Sequence, residues 1–352
     1  MNKFEKHLSA FSEIYFYKDL VQENLLFKTD DKTEYELADL LLNLDDLIIA
    51  IQLKERNELF QTNDQEEELR WLNKKCREAK KQIKDTIHFI LNEQLPEFQN
   101  LRGEKISINK NADIIPLIIF KNDVIDDYPH VLLKHSESGF DVNCISYSDF
   151  QEIFKTLVTP IEIASYFKYR IAFYKNNPQV DIFIDSDEDD NIILTRPQKE
   201  IALVHQFLST EYNIQIASEK KDYLYEFQDF LHSLQEHTVE ESEELAHHSI
   251  LLFLAHFNRL EIKAFNERLQ RAIIKSRNRQ YGIVGSLRNE DVKYAIIFVA
   301  PKPGYIIYRT EDLLKIVRQK VDVNKLLQIV VYWENSEQYR VDFFMAQDII
   351  IK

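Results

Sequence analysis

Glycine is scarce in this chain, with 5 residues in a length of 352, and its scarcity excludes whole classes of protein. Neither a Gly-x-Gly-x-x-Gly motif nor a phosphate loop ending in Gly-Lys-Ser/Thr occurs, which argues against the commonest dinucleotide-binding and NTPase folds. Proline is also sparse, at 8 residues, while 45% of the residues are hydrophobic. This composition excludes a collagen-like or disordered chain and indicates a folded protein.

Long apolar runs are missing as well. The longest, such as residues 47–51 and 250–255, fall far short of the roughly 18 residues that a membrane-spanning helix needs, so we expect no membrane partner. The polar residues 1–7 lack the apolar segment of a secretion signal. The two cysteines, Cys76 and Cys144, have no paired spacing. The sequence therefore predicts a cytoplasmic protein with inert, reduced thiols.

The hydrophobic pattern of the first half predicts an α/β fold with a mixed sheet and helices on its faces. Two of the strands form a hairpin across an Asn/Asp turn at 43–46. The expected elements are a helix at 4–21, strands at 25–27, 35–42 and 47–54, a helix at 65–92, strands at 113–120 and 140–146, and a helix at 149–157.

The length allows two domains. Thr159 followed by Pro160 is a good helix start, and Pro178 ends that helix. We therefore take residues 1–157 as one domain, 158–178 as a boundary helix and 179–352 as an α+β domain of unknown role. In that last domain we expect a hairpin at 180–195, helices at 198–210, 220–236 and 240–278, strands at 293–299, 304–308 and 327–333, and a final element from 339.

The residues that best suggest chemistry are Asp39, Gln52 and Lys54. If Leu42 pairs with Leu47, Asp39 lies on the same strand face as the other two and diagonally opposite Gln52. A carboxylate and an amide carbonyl can hold a hard divalent cation, with water completing its shell. Such a cation polarises phosphate, and a neighbouring lysine can orient water or neutralise developing charge. This set suits hydrolysis of a phosphodiester.

With Asp39 on one strand and Gln-x-Lys at 52–54 on the next, the chain resembles the PD-(D/E)XK nuclease superfamily, especially its Mrr-type restriction endonuclease branch. The resemblance implies a core of one helix, three strands, a helix and further strands over residues 4–157. It implies an active site of Asp39, Gln52 and Lys54, Mg²⁺ or Mn²⁺ as cofactor, and DNA as substrate. It also implies a role in restriction or defence against foreign DNA.

In that family the first helix also carries a carboxylate. Glu5, in the sequence Phe4-Glu5, is our first choice, and it joins Asp39 and Gln52 as the expected metal ligands; Glu13 is the second choice. Two departures from the family pattern leave open a protein that keeps the fold and has lost cleavage. Ala38 stands where the family usually has proline, and a glutamine at 52 removes a charged ligand.

The net charge of −15 is unevenly distributed. Residues 70–84 hold seven basic residues and one acidic residue, and residues 259–279 hold seven and two. A phosphate-binding groove needs a local basic face, although ordinary solvated helix faces explain each segment equally well. On the first segment we expect Trp71 to pack and Gln82 to face the site. The expected backbone-phosphate contacts are Arg70, Lys74, Lys75, Arg77 and Lys81.

A second hypothesis is a non-catalytic interaction protein on a degenerate nuclease fold, which binds a partner through its acidic surface. Convergence of Asp39, Gln52 and Lys54 beside a cleft favours the enzyme, and a Gln52 enclosed by core groups favours the interaction protein. RNA as substrate and a protein partner or homodimer stay open. The acidic stretch 185–191 lacks the glycine of a calcium loop. The histidines at 247, 248 and 256 lack zinc-helix spacing.

Overall fold

The chain folds as a mixed α/β protein, as the sequence predicts, and its elements divide between two units, residues 1–220 and 221–352. The structure is a computed structural model. It describes residues 20–23, 26–28, 34–36, 38–92, 98–99, 105–126, 131–134, 140–177, 200–213, 221–236, 244–289, 294–302, 314–315, 317–319, 323–333 and 339–347, and also Leu8, Ala10, Phe11 and Tyr15.

In the described part of the first unit, the helices are α1 (Gln65–Asn92), α2 (Tyr147–Leu157), α3 (Pro160–Asn176) and α4 (Glu200–Tyr212), and a short 3-10 turn spans Glu58–Phe60. The strands are β1 (Val21–Glu23), β2 (Leu26–Lys28), β3 (Glu34–Glu36), β4 (Leu40–Asn43), β5 (Leu47–Glu55), β6 (Phe98–Gln99), β7 (Lys105–Ile106), β8 (Asp113–Lys121), β9 (Val131–Lys134) and β10 (Asp141–Ser146).

A six-stranded sheet in the order β1-β4-β5-β8-β10-β9 forms the centre of this unit. The three middle strands, β5, β8 and β10, run parallel, and their outer neighbours are antiparallel. Residues 115–120 of β8 are all buried, as expected for a parallel strand covered on both faces. The apolar run that predicted this strand is thus the middle of the core.

The long helix α1 covers one face of the sheet. Its predicted apolar stripe, which includes Leu72, Cys76 and Ile83, is buried against Ile118 and Cys144 of the sheet. The structure confirms the predicted limits of this helix, 65 and 92. Side chains alternate along each strand, so the neighbours of these sheet residues point to the other face, where α3 packs.

The helix α3 begins as predicted, with the Thr159 side chain accepting a hydrogen bond from the Glu162 amide at 3.2 Å and proline at the first helical position. It is not a boundary between domains, however. Its fully buried Arg170 donates to Asn143 Oδ1 of β10 at 3.1 Å and to Glu200 Oε1 of α4 at 2.8 Å. This buried pairing ties both helices to the first sheet, and the division falls at 220 instead of within 158–178.

The predicted hairpin forms with a different register. Leu42 lies opposite Ile49 instead of Leu47, because the turn is tighter than expected. The Leu44 amide donates to the Leu47 carbonyl at 2.8 Å, and Asp45 adopts a φ of 68° between them. The predicted strand 35–42 is also divided, since β3 pairs with β2 and β4 begins at residue 40.

The described part of the second unit contains α5 (Asp222–Glu236), α6 (Glu244–Ala255), α7 (Arg259–Arg277), β11 (Gly282–Asn289), β12 (Tyr294–Ala300), β13 (Lys325–Trp333) and β14 (Tyr339–Gln347). The strands form a sheet in the order β11-β12-β13-β14, with β12 and β13 parallel. The sequence did not predict β11. The predicted hairpin at 180–195, which includes the acidic stretch, and the strand at 304–308 lie outside the described residues.

The helix predicted at 240–278 is two helices. Asn258 interrupts it with a capping box, in which its side chain accepts from the Glu261 amide at 3.1 Å and its own amide donates to Glu261 Oε2 at 3.0 Å. A capping box satisfies backbone donors at the start of a helix, so α7 begins anew there. In the described part of the chain, no helix is both long and apolar enough to cross a membrane.

Candidate active site

The hairpin of β4 and β5 brings Asp39 next to Gln52. Leu40 pairs with Ile51, so the next residues outward, Asp39 and Gln52, lie opposite each other. The register differs from the predicted one by two residues, and a shift of two keeps every side chain on its face. The observed register opposes the two positions directly instead of diagonally, and the shared face of their side chains stays a prediction, because β4 begins at Leu40 and Asp39 lies just outside the paired strand.

Along this stretch, hydrogen bonds join Lys54 to Gln52 and Asp39 to the backbone of β5. The Leu53 amide donates to Asp39 Oδ2 at 2.6 Å. Lys54 Nζ donates to Gln52 Oε1 at 3.5 Å and to Gln82 Oε1 of α1 at 3.0 Å. Gln82 thus faces the site, as the sequence predicts, because α1 lies across the sheet face that carries the even-numbered residues of β5.

Gln52 is enclosed, with 1% of its surface exposed, whereas Asp39 and Lys54 are half-buried. A buried amide needs hydrogen-bond partners, and the Lys54 ammonium supplies one. The cluster therefore extends from the core at Gln52 to the surface at Lys54. Of its members, Lys54 and Gln82 reach the open side.

An open groove of about 460 Å³ lies on that side. Its lining residues are Leu53, Lys54, Glu55, Lys75, Glu78, Lys81 and Gln82; Asp39 and Gln52 are not among them. Lys75 Nζ pairs with Glu78 at 2.6 Å, and Glu55 pairs with Lys121 at 3.3 Å. The two lining carboxylates thus have other partners, and Lys54 and Lys81 give the groove its positive charge.

The predicted phosphate contacts fall into two groups on α1. Arg70, Lys74, Arg77 and Lys81 are all exposed and recur at helical spacing, so they form one outward stripe. Lys75 lies on the groove side instead, and Lys81 belongs to both groups because it also lines the groove. Arg70 pairs with Glu66 one turn earlier. Lys80, which the sequence count included, is buried and does not belong to the basic face.

The oxygen donors at this site match the preference of Mg²⁺ in chemical type. Asp39 offers a carboxylate and Gln52 an amide carbonyl, and Mg²⁺ takes one or two protein carboxylates with several waters. Glu5 and Glu13, the predicted helix carboxylates, lie outside the described residues. Among the residues that are described, no group of three or more His, Cys, Asp or Glu side chains is placed to hold a metal ion.

Sequence reasoning missed a buried carboxylate next to the site. Glu68 lies on the apolar stripe of α1. Its carboxylate accepts hydrogen bonds from Arg56 Nε at 2.9 Å, from the Thr62 amide at 2.9 Å and from Asn122 Nδ2 at 2.7 Å. Burial raises the pKa of Glu68, but these hydrogen bonds outweigh it and leave the pKa below its ordinary value. The cluster anchors the chain that follows Lys54.

The position of Glu68 was visible in the sequence. It lies four residues before Leu72 and eight before Cys76, which places a carboxylate in line with apolar residues. The guanidinium of Arg56 also lies 5.7 Å from the centre of the Trp71 ring. Trp71 packs against the core as predicted.

Both cysteines and His256 have local contacts. Cys76 and Cys144 are free and buried, with their sulfur atoms 3.7 Å apart. The contact with Cys76, together with burial, raises the pKa of the Cys144 thiol well above its ordinary value. His256 Nδ1 lies 2.8 Å from the Leu252 carbonyl, within its own helix segment. No protein-family model, curated protein or solved structure matches this chain.

Proposed function

We propose that the protein is a metal-dependent nuclease that hydrolyses DNA phosphodiester bonds at the Asp39 cluster. The observation that carries this proposal is that Lys54 contacts Gln52 while the Asp39 carboxylate accepts from the Leu53 amide between them, beside an open groove lined by lysines. The likeness of their spacing to the PD-(D/E)XK pattern supplies the reaction type. Restriction or defence against foreign DNA follows from that likeness alone.

Asp39 and Gln52 would hold Mg²⁺ or Mn²⁺, and Glu5 would complete the set as the resemblance implies. When bound, the cation supplies charge against the scissile phosphate and lowers the pKa of a bound water. Lys54 keeps its ammonium next to two neutral amide oxygens, those of Gln52 and Gln82. Its charge is therefore directed to where negative charge develops on phosphate.

Gln82 positions Lys54 from the opposite wall of the groove. Its carbonyl oxygen accepts at 3.0 Å, a normal hydrogen-bond length, from a long and otherwise mobile side chain. The outward stripe of α1 would contact backbone phosphates on either side of the reacting one. The two buried, free thiols fit a reducing compartment, and we propose the cytoplasm as its location.

Cleavage of supercoiled plasmid, single-stranded DNA and RNA in Mg²⁺ or Mn²⁺ tests the proposal. Nicking that needs the metal should disappear in Lys54→Ala and in Asp39→Asn. Lys155→Ala, which removes an exposed lysine of α2, is the matched control and should cleave like the wild type. Metal-dependent cleavage that survives in both site variants, or folded wild type that cleaves none of the substrates, contradicts the proposal.

The enclosure of Gln52 supports a second candidate function. Its carbonyl oxygen already accepts from Lys54, and the Asp39 carboxylate accepts from the Leu53 amide, so the cluster is hydrogen-bonded within itself. A degenerate core that serves as an interaction protein fits this arrangement. Titration calorimetry with Mn²⁺ separates the two: a site that Asp39→Asn abolishes supports the nuclease, and absence of binding together with absence of cleavage supports the interaction protein.

A further inference from the structure

The second unit carries an aromatic and basic surface that the proposed active site does not use. Arg277, Trp333 and Tyr339 form its centre, and we call it the Trp333 surface. The guanidinium carbon of Arg277 lies 5.3 Å from the centre of the Trp333 ring. The Trp333 and Tyr339 rings are nearly parallel, at 13°, with their centroids 6.0 Å apart.

The order and direction of the strands place these residues at one end of the second unit's sheet. Trp333, the last residue of β13, pairs with Tyr339, the first residue of β14. Because β12 and β13 are parallel, β12 also ends here, and its last residue pairs with Gly282 at the start of β11. The helix α7 ends five residues earlier, at Arg277. Its C-terminal turn is therefore at the same end of the sheet.

The C-terminal half of α7 and the residues that follow it carry positive charge only. Residues 268–281 contain five basic residues and no acidic one. Cations are common in the last turn of a helix, where they meet the negative end of the helix dipole. That explanation covers Lys275 and Arg277, which lie in the last turn, but not Arg279, which follows the helix end.

Tyr339 is exposed, and the Trp333 ring that it stacks against is half-buried. Tyr339 has 48% of its surface exposed and Tyr281 has 40%. Arg268 fixes α7 to the sheet by donating to the Ser286 carbonyl at 2.6 Å. A rigid, exposed aromatic face next to guanidinium groups can stack an unpaired base while cations meet its phosphates. Residues 334–338, which join Trp333 to Tyr339, include two glutamates, so stacking has to carry the selectivity.

We propose that the Trp333 surface binds single-stranded nucleic acid, with a base stacked on Tyr339 and the backbone facing Arg277. Every base has a stacking face, so the surface accepts DNA and RNA strands and excludes duplexes, in which the bases are covered. The proposal does not depend on catalysis, because it involves residues of the second unit alone.

Fluorescence anisotropy with labelled oligothymidine and oligouridine tests this inference in EDTA, where metal-dependent cleavage is absent. A strand of about 20 nucleotides exceeds the roughly 4–16 that a single binding fold covers. Tyr339→Ala should weaken binding by about 5- to 100-fold, the value of one stacked base. Tyr339→Phe keeps the ring and should bind like the wild type. Arg277→Ala should reduce the slope of log affinity against log salt by about 0.7 for each phosphate that it no longer neutralises.

Two matched controls accompany these variants. Tyr225→Ala removes a tyrosine of similar exposure, 44%, from α5. Lys263→Ala removes a charge from α7 about 20 Å from Arg277, at 1.5 Å per residue. Both should leave affinity within about twofold, the scatter expected of surface changes. The variants compared here lie in the second unit and are measured without metal, so a failed cleavage assay and a failed binding assay identify different errors.

A second measurement does not require an alanine variant to fold. The chain has two tryptophans, so Trp71→Phe leaves Trp333 as the single tryptophan fluorophore. Adding oligothymidine should quench it. Lack of quenching, lack of binding by the wild type, wild-type affinity in Tyr339→Ala, or equal quenching of Trp333 by a duplex of the same length would each overturn the proposal.

Discussion

The two faces of the first sheet each carry a polar cluster, and the clusters handle charge in opposite ways. On the α3 face, Arg170 is fully buried and pairs with an equally buried Glu200. On the α1 face, Lys54 is half-buried, and its ammonium donates to the neutral amides of Gln52 and Gln82. The first cluster cancels its charge in the core, and the second presents its charge to a groove.

The pKa values of the α3 cluster agree with a structural role. Burial opposes the charge of Arg170, but the charge of Glu200 outweighs burial and raises the pKa of the guanidinium. Burial, and then Glu200, raise the pKa of Tyr166 well above its ordinary value. Neither group titrates near neutral pH. Hydrogen bonding alone therefore does not identify a functional cluster, since all buried polar groups need partners.

The largest expected effect tests the buried pair. Arg170→Met should cost about 3–5 kcal/mol of the free energy of unfolding, because Glu200 is left charged in the core. The matched control is Arg70→Met, which removes an exposed arginine paired with Glu66 at the surface. Surface pairs contribute about 0–1 kcal/mol. Urea unfolding followed by circular dichroism measures the free energy of unfolding of both variants. Equal losses in the two would contradict the difference proposed between the buried and the surface pair.

Glu68 offers an intermediate case, a buried ion pair next to the groove. Its folded pKa is lowered below 4.5, so its stabilising contribution is present at neutral pH and is lost as the pH decreases through the folded pKa. Glu68→Gln should cost about 1–3 kcal/mol at pH 7. It should also flatten the acid dependence of unfolding below about pH 4.5.

Urea midpoints between pH 7 and acid measure this difference. The control is Glu67→Gln, because Glu67 is the exposed neighbour on the same helix. That variant should follow the wild type within about 0.5 kcal/mol. An acid dependence in Glu68→Gln as steep as that of the wild type would show that Glu68 is not the group that titrates.

The α1 cluster should contribute much less to stability. Lys54→Met removes a half-buried charge with neutral partners, and we expect a change below about 1 kcal/mol in the free energy of unfolding. Thermal unfolding measures the change in the same preparation that is assayed for cleavage. A loss as large as that of Arg170→Met would mean that Lys54 serves the fold.

The smallest effect on stability is expected on the outward stripe of α1. Arg77→Ala should leave the free energy of unfolding within about 0.5 kcal/mol. If Arg77 contacts a phosphate of duplex DNA, the plot of log affinity against log salt should lose about 0.9 of its slope. Lys155→Ala on α2 should keep the full slope. Equal slopes for both variants would remove the stripe from the DNA-binding surface.

The successful predictions rest on the periodic spacing of apolar residues along the sequence. The limits of α1 follow from an apolar stripe that repeats at helical spacing over 28 residues. A periodic pattern of that length is a strong signal for a helix. The register was wrong by two residues, and an error of that size keeps the side-chain alternation, so it did not change the face expected for Asp39. Sequence alone could not give the register, which depends on the tight turn with a positive φ at Asp45.

The other differences come from contacts between distant residues. The division at 220 instead of 158–178 reflects the pairing of Arg170 with Glu200, which are 30 residues apart and show no common pattern. The break between α6 and α7 was visible as the capping sequence from Asn258 to Glu261, but the apolar pattern continues across it. The Glu68 cluster unites three segments, and spacing along one helix shows only the carboxylate.

The close pair of thiols between α1 and β10 offers a way to measure how often this helix separates from the sheet. Cys76 and Cys144 are the only cysteines in the sequence, and both are shielded from reagents while the helix lies on the sheet. The rate at which a thiol reagent labels the native protein therefore reports how often α1 lifts away. A ligand that bridges β5 and α1 across the groove should slow that labelling, so binding can be detected without a substrate being known.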